Sequence, residues 1–195
     1  MRRTLSVAVV TAAALTALAG PASADTLYAT NVLTYTCTFP ATGAQPMDTA
    51  ARFTGPDAVA SGGSASLSDF WGGFGVSQQL YTLLTVYLGY DGVRGSGTVP
   101  VTATNATTGT TVGVTVPEQF WGPVHRTFDF YGTGPATVTA GYPGAATFSL
   151  ATPFSLAIEL HRKQNNTWLP WTLNCAVKVT SPAQNRTFSP SLTVT

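Results

Sequence analysis

Val32-Leu33-Thr34-Tyr35-Thr36-Cys37-Thr38-Phe39 is the stretch that decides the fold class. Leu33, Tyr35, Cys37 and Phe39 alternate with threonines or lie beside them on the opposite parity. That period of two is the pattern of a strand with one face in a core and the other toward water. Runs of the same kind recur at residues 64–70, 97–104, 110–116, 126–131, 136–139, 146–150, 154–160 and 168–179. Turn formers fall between them: Gly62-Gly63, Asp91-Gly92, Thr108-Gly109, Gly132 to Pro135, Tyr142-Pro143-Gly144 and Asn165-Asn166. Many short strands at near-regular spacing indicate an antiparallel sandwich or barrel.

One segment departs from the pattern. Leu80, Leu83, Leu84, Tyr87 and Leu88 recur at helical spacing, with Ser77 placed as an N-cap and Gly89 as a left-handed terminator. The segment reads as a short helix in a connection.

Composition narrows the functional classes. Charged residues make up 9% of the 195-residue chain, against roughly 25% in an average globular domain, and the hydropathy is too high for disorder. The N-terminus has the three parts of a secretion leader: Arg2 and Arg3, an uncharged apolar run over 5–18, and Ala22-Ser23-Ala24 as a cleavage site. The apolar run is shorter than the ~20 residues that span a bilayer. Cleavage is expected after Ala24, general secretion is the simpler route beside twin-arginine export, and no cysteine follows the site to mark a lipoprotein. Of the nine basic residues two leave with the leader, so the net charge passes from +1 to −1. A near-neutral surface offers no steering toward nucleic acid or anionic membranes. The remainder is read as a lead-in at 25–33, one β domain over 34–180 and a C-terminal strand or tail over 181–195, without a later membrane span and as a monomer.

Cys37 and Cys175 are the only cysteines. Both sit among alternating apolar residues (Tyr35 and Phe39, Leu173 and Val177) on runs near the two ends of the domain, so both point inward. An inward thiol in an oxidising compartment pairs within its own core, and a structural disulfide is expected rather than a catalytic thiol or an intermolecular bridge.

Tyr35-Thr36-Cys37-Thr38-Phe39-Pro40, Gly43-Ala44-Gln45-Pro46, Ser64-Ala65-Ser66-Leu67-Ser68-Asp69, Gly97-Thr98-Val99-Pro100-Val101 and Leu173-Asn174-Cys175 together resemble a family of secreted, Thr/Ala/Val-rich actinobacterial domains of uncharacterised function. The resemblance runs from Thr34 to Val179. It implies a cell-surface or secreted β-sandwich, immunoglobulin-like in style, with paired terminal cysteines, and it implies no reaction and no catalytic residues. Phe70-Trp71-Gly72-Gly73-Phe74 and Phe120-Trp121-Gly122 lie outside its pattern.

A search for chemistry returns little. There is no Gly-x-Ser-x-Gly elbow and no HExxH. His161 adjoins Arg162 and Lys163 and reads as a solvated strand end, while His125 stands near Asp129 with nothing to complete a triad. Glu118 and Glu159, the only glutamates, form a weak carboxylate-pair candidate for glycoside hydrolysis. Asp91-Gly92 is a turn and not a calcium loop. Asn105, Asn165 and Asn185 head glycosylation sequons, which arise by chance in a Thr-rich chain. No cofactor or metal is implied.

The aromatics carry the sharper hypothesis. Trp71, Phe74, Trp121, Trp168 and Trp171 are candidate ligand contacts, since an indole on a polar loop stacks on sugar rings; the plainer alternative places them in the core. The Gly-flanked Trp71 and Trp121 are the ones expected outside. The chain is therefore read as a single all-β, antiparallel, immunoglobulin-like sandwich with one short helix. Its expected role is a secreted or cell-surface, non-enzymatic binding or structural module for cell-wall glycan or a surface protein. A small hydrolase with an unrecognised site is the alternative.

Overall fold

The computed structural model describes residues 25–107 and 110–195; the expected leader over 1–24 and the expected turn at Thr108-Gly109 lie outside the described residues. Thirteen strands are described: β1 Asp25–Ala29, β2 Leu33–Phe39, β3 Gly43–Pro56, β4 Ala58–Val59, β5 Ser64–Val76, β6 Tyr90–Thr104, β7 Thr110–Phe120, β8 Thr127–Gly132, β9 Ala136–Thr139, β10 Gly144–Leu150, β11 Phe154–Arg162, β12 Thr167–Val177 and β13 Leu192–Val194.

Their pairing departs from a two-sheet sandwich. β2 pairs β3, β3 pairs β5, β5 pairs β8, β8 pairs β7, β7 pairs β6, β6 pairs β11, β11 pairs β12 and β12 returns to β2, every pair antiparallel. The path closes into an eight-stranded barrel. Closure removes the open edges that a sandwich leaves, and in a ring of this size side chains fill the interior. A sandwich and a barrel write the same alternation into each strand, so the immunoglobulin-like expectation had no way to separate them; the pairing of β11 with both β6 and β12 does.

The long strands β3, β5 and β6 run past the barrel and recruit β1, β9 and β10, with β13 and β4 added beyond β10. The 25–33 lead-in thus contains a paired strand, and the 181–195 tail contributes β13 and the buried Phe188. Phe74, Phe128, Phe130 and Phe154 stack through the barrel, with Phe74 5.0 Å from Phe128 and 5.9 Å from Phe154 between ring centres. In the extension, Phe53 lies 5.0 Å from Tyr28 and 4.8 Å from Phe188. Each such ring contributes about 1.5–3 kcal/mol by leaving water.

Two seams are short. β7 and β8 share two paired positions, and beside them the Gln119 side chain takes the place of a peptide: its Nε2 donates to the Asp129 carbonyl at 2.7 Å and its Oε1 accepts from the Asp129 N–H at 2.8 Å. β12 and β2 share three, among them Cys175 opposite Cys37, which form the disulfide.

The expected helix is present as α1, Gln78–Thr82, continuing into a π-helical turn over Leu83–Tyr87. The Ser77 hydroxyl accepts the Leu80 N–H at 3.2 Å, Gly89 takes φ +71°, and Leu80 and Leu84 are buried. No helix among the described residues is long and apolar enough to cross a membrane.

Candidate functional site

The four-residue turn over 163–166 joins β11 and β12 and sets their register: His161 stands opposite Trp168 and Glu159 opposite Pro170. On the other side of β11, Glu159 stands opposite Arg94 of β6, where a register shift between β6 and β7 also admits Glu118. Residues far apart in sequence thereby meet on the outer face of the barrel.

Arg94 is the hub. Its Nε donates to Glu159 Oε2 at 2.6 Å and its Nη1 to Glu118 Oε2 at 3.2 Å, while the guanidinium lies 4.2 Å from the Trp168 ring centre. Trp168 in turn lies 4.9 Å from His161 and 6.1 Å from Phe120, and Phe120 meets His161 edge-on. His161 is buried, with Nδ1 2.6 Å from Asp91 Oδ1 and Nε2 2.9 Å from Asn166 Oδ1. Two acceptors facing the two nitrogens are the partners of an imidazolium. The Asp91 hydrogen bond first, and the Asn166 one second, hold the His161 pKa above its ordinary value.

The arrangement is chemically closed. A hydrolytic triad needs a hydroxyl at the free nitrogen of its histidine, and here that nitrogen faces an amide oxygen. A glycosidase pair needs one carboxylic acid and one free carboxylate, and here Glu118 and Glu159 share one cation. Asp91-Gly92 lies within β6 and not in a turn, so the sequence reading of that dipeptide is corrected; likewise His161 is a buried, bonded residue and not a solvated strand end. Among the described residues no three His, Cys, Asp or Glu side chains converge as a metal-binding group.

The remaining candidates separate. Phe74 is wholly inside the barrel and presents no face to a ligand, and Trp121 is buried at the end of β7, its backbone N–H donating to the Asp91 carbonyl at 2.7 Å. Both are corrections to the aromatic set. Phe70 to Phe74 is not a loop: it is the middle of β5, and a Cβ on Gly72 would overlap the Phe130 ring opposite. Glycine there makes room for a core aromatic. Trp171 is half-buried and its Nε1 donates to the Thr38 carbonyl at 2.9 Å, closing the gap where β2 leaves β12. Trp71 is half-buried on the outer face of β5, with Arg52 4.8 Å from its ring centre. Burial raises the Asp129 carboxyl above its ordinary range, and Arg52 and Trp71 oppose that shift. Asp129 is thus engaged by Trp71, while His125 is exposed in the loop before β8.

Asp91, Arg94, Phe120 and Asn166 are members of the cluster that the sequence reading missed. The Asn165-Asn166 turn signal puts His161 on the same hairpin face as Trp168, but a two-residue turn there would set Lys163 across from Trp168; the four-residue turn over 163–166 sets His161 there instead. Nothing local indicated that β6 and β7 would flank β11.

The family described as a family of unknown function (DUF6801) matches residues 34–189. No curated protein and no solved structure matches the chain.

Proposed function

We propose that this chain, which belongs to the DUF6801 family of unknown function, is a secreted or cell-envelope-associated module that binds a partner through its outer surface and is not an enzyme. The observation that carries this reading is the mutual commitment of the acid–base groups. Arg94 holds both glutamates, and His161 spends its two nitrogens on Asp91 and Asn166. A catalytic acid or base must be free to exchange a proton with substrate. The filled barrel supports the same conclusion, since it leaves the outer face as the place for recognition.

Secretion rests on the leader-like sequence over 1–24 together with the disulfide, a bond that persists in oxidising compartments. Actinobacterial origin and an immunoglobulin-like relationship rest on the sequence resemblance alone.

The hydrolase alternative has one observation in its favour, the 2.6 Å contact between His161 and Asp91. Two assays separate the readings: co-sedimentation of the purified chain with insoluble cell-envelope material, and a screen of esterase, peptidase and glycosidase substrates. Retention without turnover is the expected result. Turnover that disappears in both His161→Ala and Glu159→Gln would replace the binding reading with the enzymatic one.

A further inference from the structure

A second aromatic site lies on the outward faces of β1, β3, β5 and β8. Arg52, Trp71 and Tyr131 are successive cross-strand partners, so their side chains stand in one row. A bulge builds the site: the β3–β5 pairing jumps from Thr54–Ser68 to Arg52–Trp71, and Asp69 takes φ +52°. The extra residue sends Phe70 into the core and Trp71 outward. With Leu27 and Thr54 these residues line an open cleft of about 400 Å³, within the roughly 300–1,000 Å³ of small-ligand sites. Leu27 and Tyr131 are 54% and 45% exposed.

The polar groups here contrast with those around Trp168. The Arg52 guanidinium lies over Trp71 and within the field of Asp129 but makes no side-chain hydrogen bond among the described residues, and neither do the Tyr131 and Thr54 hydroxyls. Asp69 receives one bond, from the Ser68 hydroxyl to Oδ2, which leaves Oδ1 open. The indole itself is held in place by its cross-strand neighbours, Arg52 on one side and Tyr131 on the other. Fixed aromatic surface beside uncommitted planar donors and acceptors suits a ligand with flat C–H faces and a rim of hydroxyls. Arg52 is the one cation here, and Asp69 in the cleft and Asp129 beside Trp71 offset it, so there is no positive excess to select an anionic ligand and a neutral one is favoured. A peptide adding as a strand needs a free edge, and the strands that carry Arg52, Trp71 and Tyr131 (β3, β5 and β8) each have neighbours on both sides.

We propose that the cleft formed by Leu27, Arg52, Asp69, Trp71 and Tyr131 is a binding site for a neutral saccharide. This deepens the binding reading above and rests on it.

The purified chain, disulfide intact, is titrated by calorimetry with cellohexaose, maltohexaose, xylohexaose and the hexamer of N-acetylglucosamine, and co-sedimented with insoluble cell-envelope polysaccharide. Binding of at least one hexasaccharide is expected, weakened tenfold or more in Trp71→Ala and in Arg52→Ala, and unchanged within twofold in Tyr142→Ala, an exposed aromatic elsewhere. Tyr131→Ala, at an exposed position, secures the result if Trp71→Ala fails to fold. Wild-type chain that binds none of the four, or Arg52→Ala and Tyr131→Ala chains that bind as well as wild type, overturns the proposal. Envelope retention that survives all three cleft variants would remove the cleft and leave the binding reading standing. Neither retention nor saccharide binding would remove both.

Discussion

Cys37 and Cys175 are direct partners across the seam between β2 and β12, with their Cα atoms 4.1 Å apart and a sequence separation of 138. Only three positions pair along that seam, so the covalent bond does there what ladder hydrogen bonds do elsewhere in the ring. It also restricts the unfolded chain over most of its length. Reduction, or a Cys37→Ser/Cys175→Ser double variant, is expected to cost about 2–5 kcal/mol. Urea unfolding followed with and without reductant measures this, and coincident midpoints would contradict it.

The second short seam gives an independent test. Gln119→Ala removes both hydrogen bonds to the Asp129 backbone, leaving a part-buried N–H and C=O without their partner at a cost of about 1–3 kcal/mol. Amide hydrogen exchange at Asp129 should accelerate in the variant while exchange at Phe74, in the barrel core, follows global stability alone. Gln119→Glu retains the acceptor and loses the donor, and should fall between wild type and alanine.

Gly72 is opposite Phe130 and a methyl group there would enter the ring's volume. Gly72→Ala is expected to destabilise the chain by about 1–3 kcal/mol through overpacking, with partial rescue by Phe130→Leu. An additive double variant in thermal unfolding would show that the two sites are uncoupled.

His161 provides a pH dependence. Its folded pKa lies above the ordinary 6.5, through Asp91 first and Asn166 second, with Glu118 adding to the local negative field and burial opposing them. A group whose pKa rises on folding stabilises the protonated form of the native state. That contribution is complete below the unfolded value of about 6.5 and is lost as pH climbs through the folded value. The urea midpoint should therefore decline across this range. Asp91→Asn, which keeps the shape and removes the charge, should flatten the decline; an unchanged slope would assign the pH dependence to other groups.

Much of the secondary structure was legible in the sequence, because burial on a sheet writes a period of two into residues such as Leu33, Tyr35, Cys37 and Phe39, and these four are buried as read. The helix was legible from Ser77, the leucine spacing and Gly89, since caps are local chemistry. Errors arose where a residue's role depends on what lies across the barrel. Gly72 looked like loop glycine because Phe130, which requires it, is far away in sequence. Trp121 looked exposed because a flanking glycine says nothing about the elements that cover it.

The candidate site divides in the same way. The alternation around Glu159 and His161 is enough to set those two on one strand face. The sequence reading left His161 as a solvated strand end and did not bring Trp168 to it; that pairing depends on the four-residue turn over 163–166. That Arg94 would clamp Glu159 to Glu118, or that Arg52 and Tyr131 would flank Trp71, follows from which strands become neighbours.

Strand alternation, capping and the inward cysteines are properties of short windows, and the sequence by itself determined them: an all-β chain, one helix in a connection and a single disulfide. The choice of a closed barrel, and with it both aromatic sites, was decided only by the tertiary structure. The physical reason is that alternation specifies which face of each strand is buried and is silent about which strand lies beside it, and closure depends on β11 finding β6 on one side and β12 on the other.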